Sequence, residues 1–386
     1  MLRFFRILIA VLLLTVVLSA CSRKFKMPRE SLSENSTWQF HRLDVQNSGR
    51  IEGNFNGKFD VIWENSTGTR PSGPLTLSKG FLVYPDSKKK IRIYEPPTGK
   101  YLGYIRTKGH TPTGMVVSDS LGFYVDGPKR VVLRCHNLLN RKTVWEANVK
   151  DAVSGSIIVG DKLVLSQTAG LVQAFNLISG KLVWTYTAKE RFLVPAVLNG
   201  EKIYQTGDDG TLYIIDSDSG VEASKLNLKG PFLGSAAVNK LVYLVNMNGN
   251  IYAIDKSTDS VVWESSVTGP VWSSPAVDEN KIYITSNSGQ LTALDLETGK
   301  QLWQFDAKEV IKCSPIIAGH SVLFGTMYGN LYSISSSNGT VESKREFKGA
   351  ISQSPISDGR LIYVATNDGE LVCLGDTSEI AALENQ

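Results

Sequence analysis

A tryptophan slot that returns every 39 to 42 residues constrains this chain more than any other feature. The slot falls at Trp63, Gly103, Trp145, Trp184, Ser224, Trp263, Trp303 and Ser343. The three positions without tryptophan still keep a glycine four residues earlier, at Gly99, Gly220 and Gly339. A unit of about 40 residues cannot bury an apolar face alone, so it must stack against copies of itself. The clearest copy is Lys281–Ala307. Ile282, Tyr283 and Ile284 form a β-branched and aromatic run, Ser288-Gly289 marks a hairpin, and Asp295, Thr298 and Gly299 mark a second turn ahead of Trp303. Short strands at that period predict an all-β fold, an eight-bladed β-propeller of four-stranded antiparallel blades, with the tryptophans docking blade against blade.

A second series supports the count and fixes the closure. Small residues and proline recur ahead of each innermost strand, as in Gly73-Pro74-Leu75, Pro195-Ala196-Val197, Ser274-Pro275-Ala276 and Ser354-Pro355-Ile356. Proline is tolerated at a strand's first position, and small side chains suit strands crowded round an axis. Trp63 precedes every other strand of the repeat series, and no outer strand follows the last unit, Ser354–Leu374. The strand around Val61–Glu64 is therefore predicted to complete the last blade, which removes both loose edges of the ring.

Ahead of the repeats, residues 1–20 read as a targeting segment: Arg3 and Arg6, then an apolar core over Ile7–Leu18. That core is short for a membrane span. Leu18-Ser19-Ala20-Cys21 resembles a bacterial lipobox, which implies lipidation of Cys21 and, with Ser22 following it, delivery to the periplasmic side of the outer membrane. Residues 21–37 are polar and lack an apolar period, so they read as a flexible lipidated tether. The propeller is assigned to residues 38–386, where Trp38–Gly49 is expected to cover one face of the ring.

Ala293, Asp295, Gly299 and Trp303, with Ala253, Asp255 and Trp263, resemble the pyrroloquinoline-quinone-type propeller repeat. Together with the lipobox, this resembles the BamB family of outer-membrane lipoproteins. The resemblance implies a scaffold that assists assembly of outer-membrane β-barrel proteins and contacts an envelope partner, a BamA-like barrel assembly subunit, as a monomeric propeller within a complex. Two loops match the family's contact loops by blade count. Ala188–Val194 offers Arg191, Phe192 and Leu193 as an exposed anchor, and Leu228–Gly234 offers Lys229 and Phe232 but no carboxylate.

The formal charge of +4 is too weak to argue for nucleic acid, yet residues 79–150 hold 14 basic against 5 acidic residues. Lys88, Lys89, Lys90, Arg106, Lys108, Lys129 and Arg130 fall in loops predicted to share one face, a basic sector suited to an acidic partner or lipid headgroups. An enzyme of the quinone-dependent type needs carboxylates and an amide on calcium and a catalytic aspartate. No such constellation, adjacent cysteine pair or metal-spaced histidine occurs, so catalytic residues, cofactor and metal are all expected to be absent. Cys135, Cys313 and Cys373 read as buried free thiols. A quinoprotein-related redox or ligand-binding protein, or an envelope polysaccharide-binding lipoprotein, remain the alternative readings.

Overall fold

The computed structural model describes residues 24–32, 44–127, 131–151 and 155–377. Eight antiparallel sheets of four strands stand round a central axis, numbered here as blades 1 to 8 in chain order of their innermost strands. Blade 6 is representative: Ala276–Val277 lies innermost, followed outward by Lys281–Thr285, Gln290–Asp295 and Gln301–Asp306. Blade 1 runs from Thr76–Ser78 to Tyr101–Arg106, and blade 2 from Met115–Ser118 to Lys142–Asn148. In blade 8 the outermost strand is Asp60–Ser66, paired antiparallel with Glu370–Gly375 so that Trp63 faces Cys373. The ring closes as the order of the repeats predicts.

The outer strand pair of every blade carries a register shift one residue from the tryptophan slot, as between Ala293 and Leu294 opposite Trp303. A bulge turns the next side chain off the strand's alternation and increases local twist. Here it swings the indole into the gap between blades.

The indole does not dock on the glycine of its own repeat. Trp263 of blade 5 packs on Gly299 of blade 6, and its Nε1 donates to Leu296 O at 3.3 Å. A Cβ on Gly299, whose φ is +68°, would lie 2.6 Å from Trp263 Cε3. The same arrangement joins Trp303 to Gly339 and Ser336 O, Trp145 to Gly180 and Leu177 O, Trp184 to Gly220 and Ser217 O, and Trp63 to Gly99 and Pro96 O. The tryptophan of one repeat therefore requires the glycine of the next.

Seams without tryptophan are filled by other means. At Ser224 of blade 4, Lys202 Nζ donates to Lys256 O at 2.9 Å and to Asp259 Oδ1 at 2.7 Å, and Ser224 Oγ donates to Asp259 Oδ2 at 2.7 Å. Lys256 O occupies the turn position of Leu296 O, so an ammonium replaces an indole. At Gly103 of blade 1 the filler comes from the N-terminal segment. Lys24 bridges Tyr104, Phe25 N donates to Tyr104 O, and Met27 N donates to Leu138 O, again the equivalent turn carbonyl. Phe25 and Met27 are buried between blades 1 and 2 among Phe81, Met115 and Leu138. The expectation of a flexible tether over 21–37 is thus corrected for residues 24–32, which dock as a strap. Its alternation, Phe25 and Met27 in and Lys24 and Lys26 out, is that of a strand, but too short to stand out from a polar context.

Residues 44–55 run round the channel side of the ring. Carbonyls of Val45, Gln46, Ser48 and Gly49 accept from Leu198 N, Val238 N, Val277 N and Ile317 N, the innermost strands of blades 4 to 7. Arg50–Ile51 adds a parallel fifth strand to blade 7, and Phe55 N reaches Gly359 O of blade 8. This arc is the part of the expected face cover that lies within the described residues; Trp38–Leu43 and Cys21 lie outside them.

Candidate functional site: loops around one mouth of the ring

Turns between second and third strands share a face with the connections between blades, because each such turn bonds to the connection before it. Asp208 N donates to Arg191 O, Asn287 N to Pro270 O, Met327 N to Val310 O and Asn367 N to Ala350 O. That face carries the predicted contact loops and the basic sector.

Arg191 is 67% exposed, with its Nε on Asp208 Oδ2 at 2.7 Å and its backbone N on Asp208 Oδ1 at 3.1 Å. Its backbone N–H and its Nε–H are committed to bracing the blade 4 turn, while the head stays at the surface. Lys229 is exposed as well, its backbone held by Tyr252 Oη and Asn246 Nδ2. The two phenylalanines are not surface anchors. Phe192 is fully buried edge-on against Tyr213 at 5.6 Å, and Phe232 is buried against Tyr252 at 6.4 Å. They occupy the position of Val271, Ile311 and Ile351 in later blades, all buried. The connection between blades is a repeated plug whose apolar residue faces inward, and a single loop read in isolation hides that equivalence.

The residue after each plug faces the channel mouth. In blades 4 to 8 these are Leu193, Leu233, Trp272, Lys312 and Ser352. Leu193 and Leu233 are half-buried, Trp272 is 43% exposed, and Lys312 Nζ sits 4.9 Å from the centre of its ring. Leu233, Trp272 and Lys312 border a cavity of about 180 Å³ at this mouth. Tyr328, on the next turn, is 69% exposed. An indole, a tyrosine, two leucines and a cation on one rim make a surface able to take an apolar side chain beside a carboxylate. Trp272 had a sequence signal: it stands nine residues past Trp263, off the 40-residue series, and so cannot serve as a blade dock.

The floor of this mouth is a hydroxyl ladder. Ser274 Oγ accepts from Ser235 N, Ser314 Oγ from Ser274 N and Ser354 Oγ from Ser314 N, at 2.9, 2.9 and 3.0 Å. These neutral groups are consumed in joining innermost strands. Among the described residues no group of three His, Cys, Asp or Glu could hold a metal ion. Cys135, Cys313 and Cys373 are free and buried apart, and burial pushes the Cys135 thiol up to about 12. The described residues at this mouth, serines, Leu233, Trp272 and Lys312, do not fit a calcium–quinone centre.

In the basic sector, Lys88–Lys90 form the turn of blade 1 and Arg106 and Lys108 lie beside it, with Thr107 N on Lys89 O at 3.0 Å. Asp86 is buried beneath, accepting from Lys88 N, Lys90 N and Arg92 Nε. Asp126 plays the same part in blade 2, on Lys108 N and Arg134 Nε. Lys129 and Arg130 lie outside the described residues.

A family profile described as outer membrane protein assembly factor BamB matches residues 129–223, 208–313 and 310–379, together more than half of the chain. The chain belongs to the BamB family. The BamB of Shewanella oneidensis is 24% identical over 247 residues, which is 58% of this chain and 60% of the relative's length. The solved BamB of Moraxella catarrhalis matches 82% of this chain and all of its own at a TM-score of 0.72 and 14% identity. Quinohemoprotein alcohol dehydrogenase from Comamonas testosteroni matches 88% of this chain and 80% of its own at 0.75 and 11% identity. At these identities the two structures share the fold with this chain, and the fold alone is common to a BamB and a redox enzyme.

Proposed function

We propose that this chain is a non-enzymatic scaffold, lipid-anchored through Cys21 on the periplasmic side of the outer membrane, that assists a BamA-like subunit in assembling outer-membrane β-barrel proteins. The observation that carries the reading is BamB family membership over more than half of the chain, beside a mouth at which, among the described residues, no group of three His, Cys, Asp or Glu could hold a metal ion. The contact surface assigned here is the mouth bearing Arg191, Leu193, Lys229, Leu233, Trp272 and Lys312. Phe192 and Phe232 act beneath it by fixing the loops. A rigid ring presents these side chains without ordering cost, and a lipid anchor raises the effective concentration of scaffold and partner on one membrane.

The test is crosslinking in native envelopes followed by capture of the lipidated protein. A BamA-like barrel subunit should be recovered, and Arg191→Glu or Trp272→Ala should lower the yield at least about fivefold, since a central aromatic or arginine carries 1–2 kcal/mol or more. Recovery of a cytochrome or a saccharide-handling complex in its place would overturn the assignment.

A further inference from the structure

The start of the strap and the basic sector meet on the rim of blade 1. Lys24 is fixed there by its bridge to Tyr104, and Lys90 Nζ lies 4.5 Å over the ring of that tyrosine. Lys24 follows Cys21 by three residues, so the backbone can place residue 21 no farther than about 10 Å from it. An anchor at Cys21 would hold this rim, and not the opposite side of the ring, against the bilayer.

The chemistry of the rim suits that position. Lys24, Lys26, Lys88, Lys89, Arg106 and Lys108 are exposed, and among the described residues none of them forms an ion pair. Two carboxylates beneath these turns, Asp86 and Asp126, are buried and occupied by backbone N–H groups and by Arg92 and Arg134. Elsewhere on the ring Lys162, Lys202 and Lys240 pair with Asp218, Asp259 and Glu297, and exposed lysines without such a pair, as Lys181, Lys300 and Lys348, stand one to a blade and not clustered. Unneutralised ammonium groups within a Debye length of about 8 Å of an anionic bilayer are attracted to it, and the reach from Lys24 to residue 21 is of that order.

We propose that the rim of blades 1 and 2 is a binding surface for anionic lipid headgroups, which sets the propeller on its edge. The Trp272 mouth, on blades 5 to 7, is then turned away from lipid and open to a protein. The anchoring half of this inference rests on the lipidation of Cys21 proposed above; the charged surface does not.

The test uses the mature chain carrying Cys21→Ser, which has no lipid, with phosphatidylglycerol-rich or pure phosphatidylcholine vesicles. Binding is expected to the anionic vesicles only and to be released by salt. Lys88→Glu/Lys89→Glu/Lys108→Glu should lower it at least about tenfold. Lys181→Glu/Lys300→Glu/Lys348→Glu, equally exposed on blades 3, 6 and 7, should leave it within about twofold. All six side chains are on the surface, so thermal melts should stay unchanged. Equal loss from both triple variants, or no binding to either vesicle, would overturn the surface. Mass spectrometry of the native N-terminus tests the anchor separately: an unacylated terminus with intact vesicle binding removes the anchor and leaves the surface standing.

Discussion

The seam between blades 5 and 6 and the seam between blades 1 and 2 meet the same requirement in opposite ways. At the first, an indole from one repeat enters the turn of the next, and filler and socket are encoded 36 residues apart, Trp263 and Gly299. At the second, Gly103 leaves the socket empty and a segment about 80 residues earlier supplies Phe25, Met27 and the N–H that reaches Leu138 O. The difference teaches that what these two seams share is a donor on one turn carbonyl and an apolar body above it, not a residue type. A filler from outside the repeat also ties the chain's N-terminal end to one chosen edge, which an eightfold ring would otherwise leave undetermined.

The comparison breaks most visibly at Trp263, the indole that pins blade 5 to blade 6 like a dowel. Trp263→Ala should cost about 3 kcal/mol of unfolding free energy in urea, as removal of a large core ring does. Gly299→Ala should cost about 2 kcal/mol through the clash with that ring and the positive φ. If Gly299→Ala keeps only the positive-φ part of its cost once Trp263 is already alanine, the two act as one unit across the seam.

A somewhat smaller effect is expected from the strap. Phe25→Asp with Met27→Asp should expel residues 24–32 and cost about 2 kcal/mol. Hydrogen exchange should rise at the amides of residues 25 and 27, which donate to Tyr104 O and Leu138 O, while the seam of blades 5 and 6 stays protected. Uniform change, or none, would show that the strap is not the filler.

The ammonium dowel at Ser224 should be weaker still. Lys202→Met leaves Lys256 O and one lone pair of Asp259 without a donor, for about 1.5 kcal/mol. The smallest difference is one of pH. In blade 5 the hydrogen bonds from Ser257 and Thr258 hold the Asp255 carboxyl down to about 2. A depressed folded-state value adds stability above the ordinary carboxylate range near 3.9, and that part is lost as pH falls toward 2. The matching turn of blade 2 uses Asn137, whose Oδ1 accepts from Leu139 N and Asn140 N and does not titrate. Thermal melts from pH 5 to pH 2 should therefore show Asp255→Asn converging on the parent at the acid end, with no counterpart for the blade 2 turn.

The eight repeats, the closing strand and the turn chemistry of Asp295 were legible because each follows from spacing within one unit. The contact loops were legible only in part. Arg191 and Lys229 stand at the surface as their charge suggests, whereas Phe192 and Phe232 are buried, since an aromatic residue in a loop looks the same in sequence whether it faces a partner or its own blade. Trp272 was visible as a tryptophan off the 40-residue series within the repeats, but its neighbours Lys312 and Leu233 come from other connections, one repeat away on either side.

The sequence by itself determined the number of blades, their strand order and how the ring closes, because a periodic pattern repeats its instructions and local turn chemistry fixes each one. Tertiary structure alone decided which glycine receives which tryptophan, where the N-terminal strap lies and which loop side chains face outward. Each of those depends on a gap between two units, and the shape of a gap exists only after both of its walls have folded.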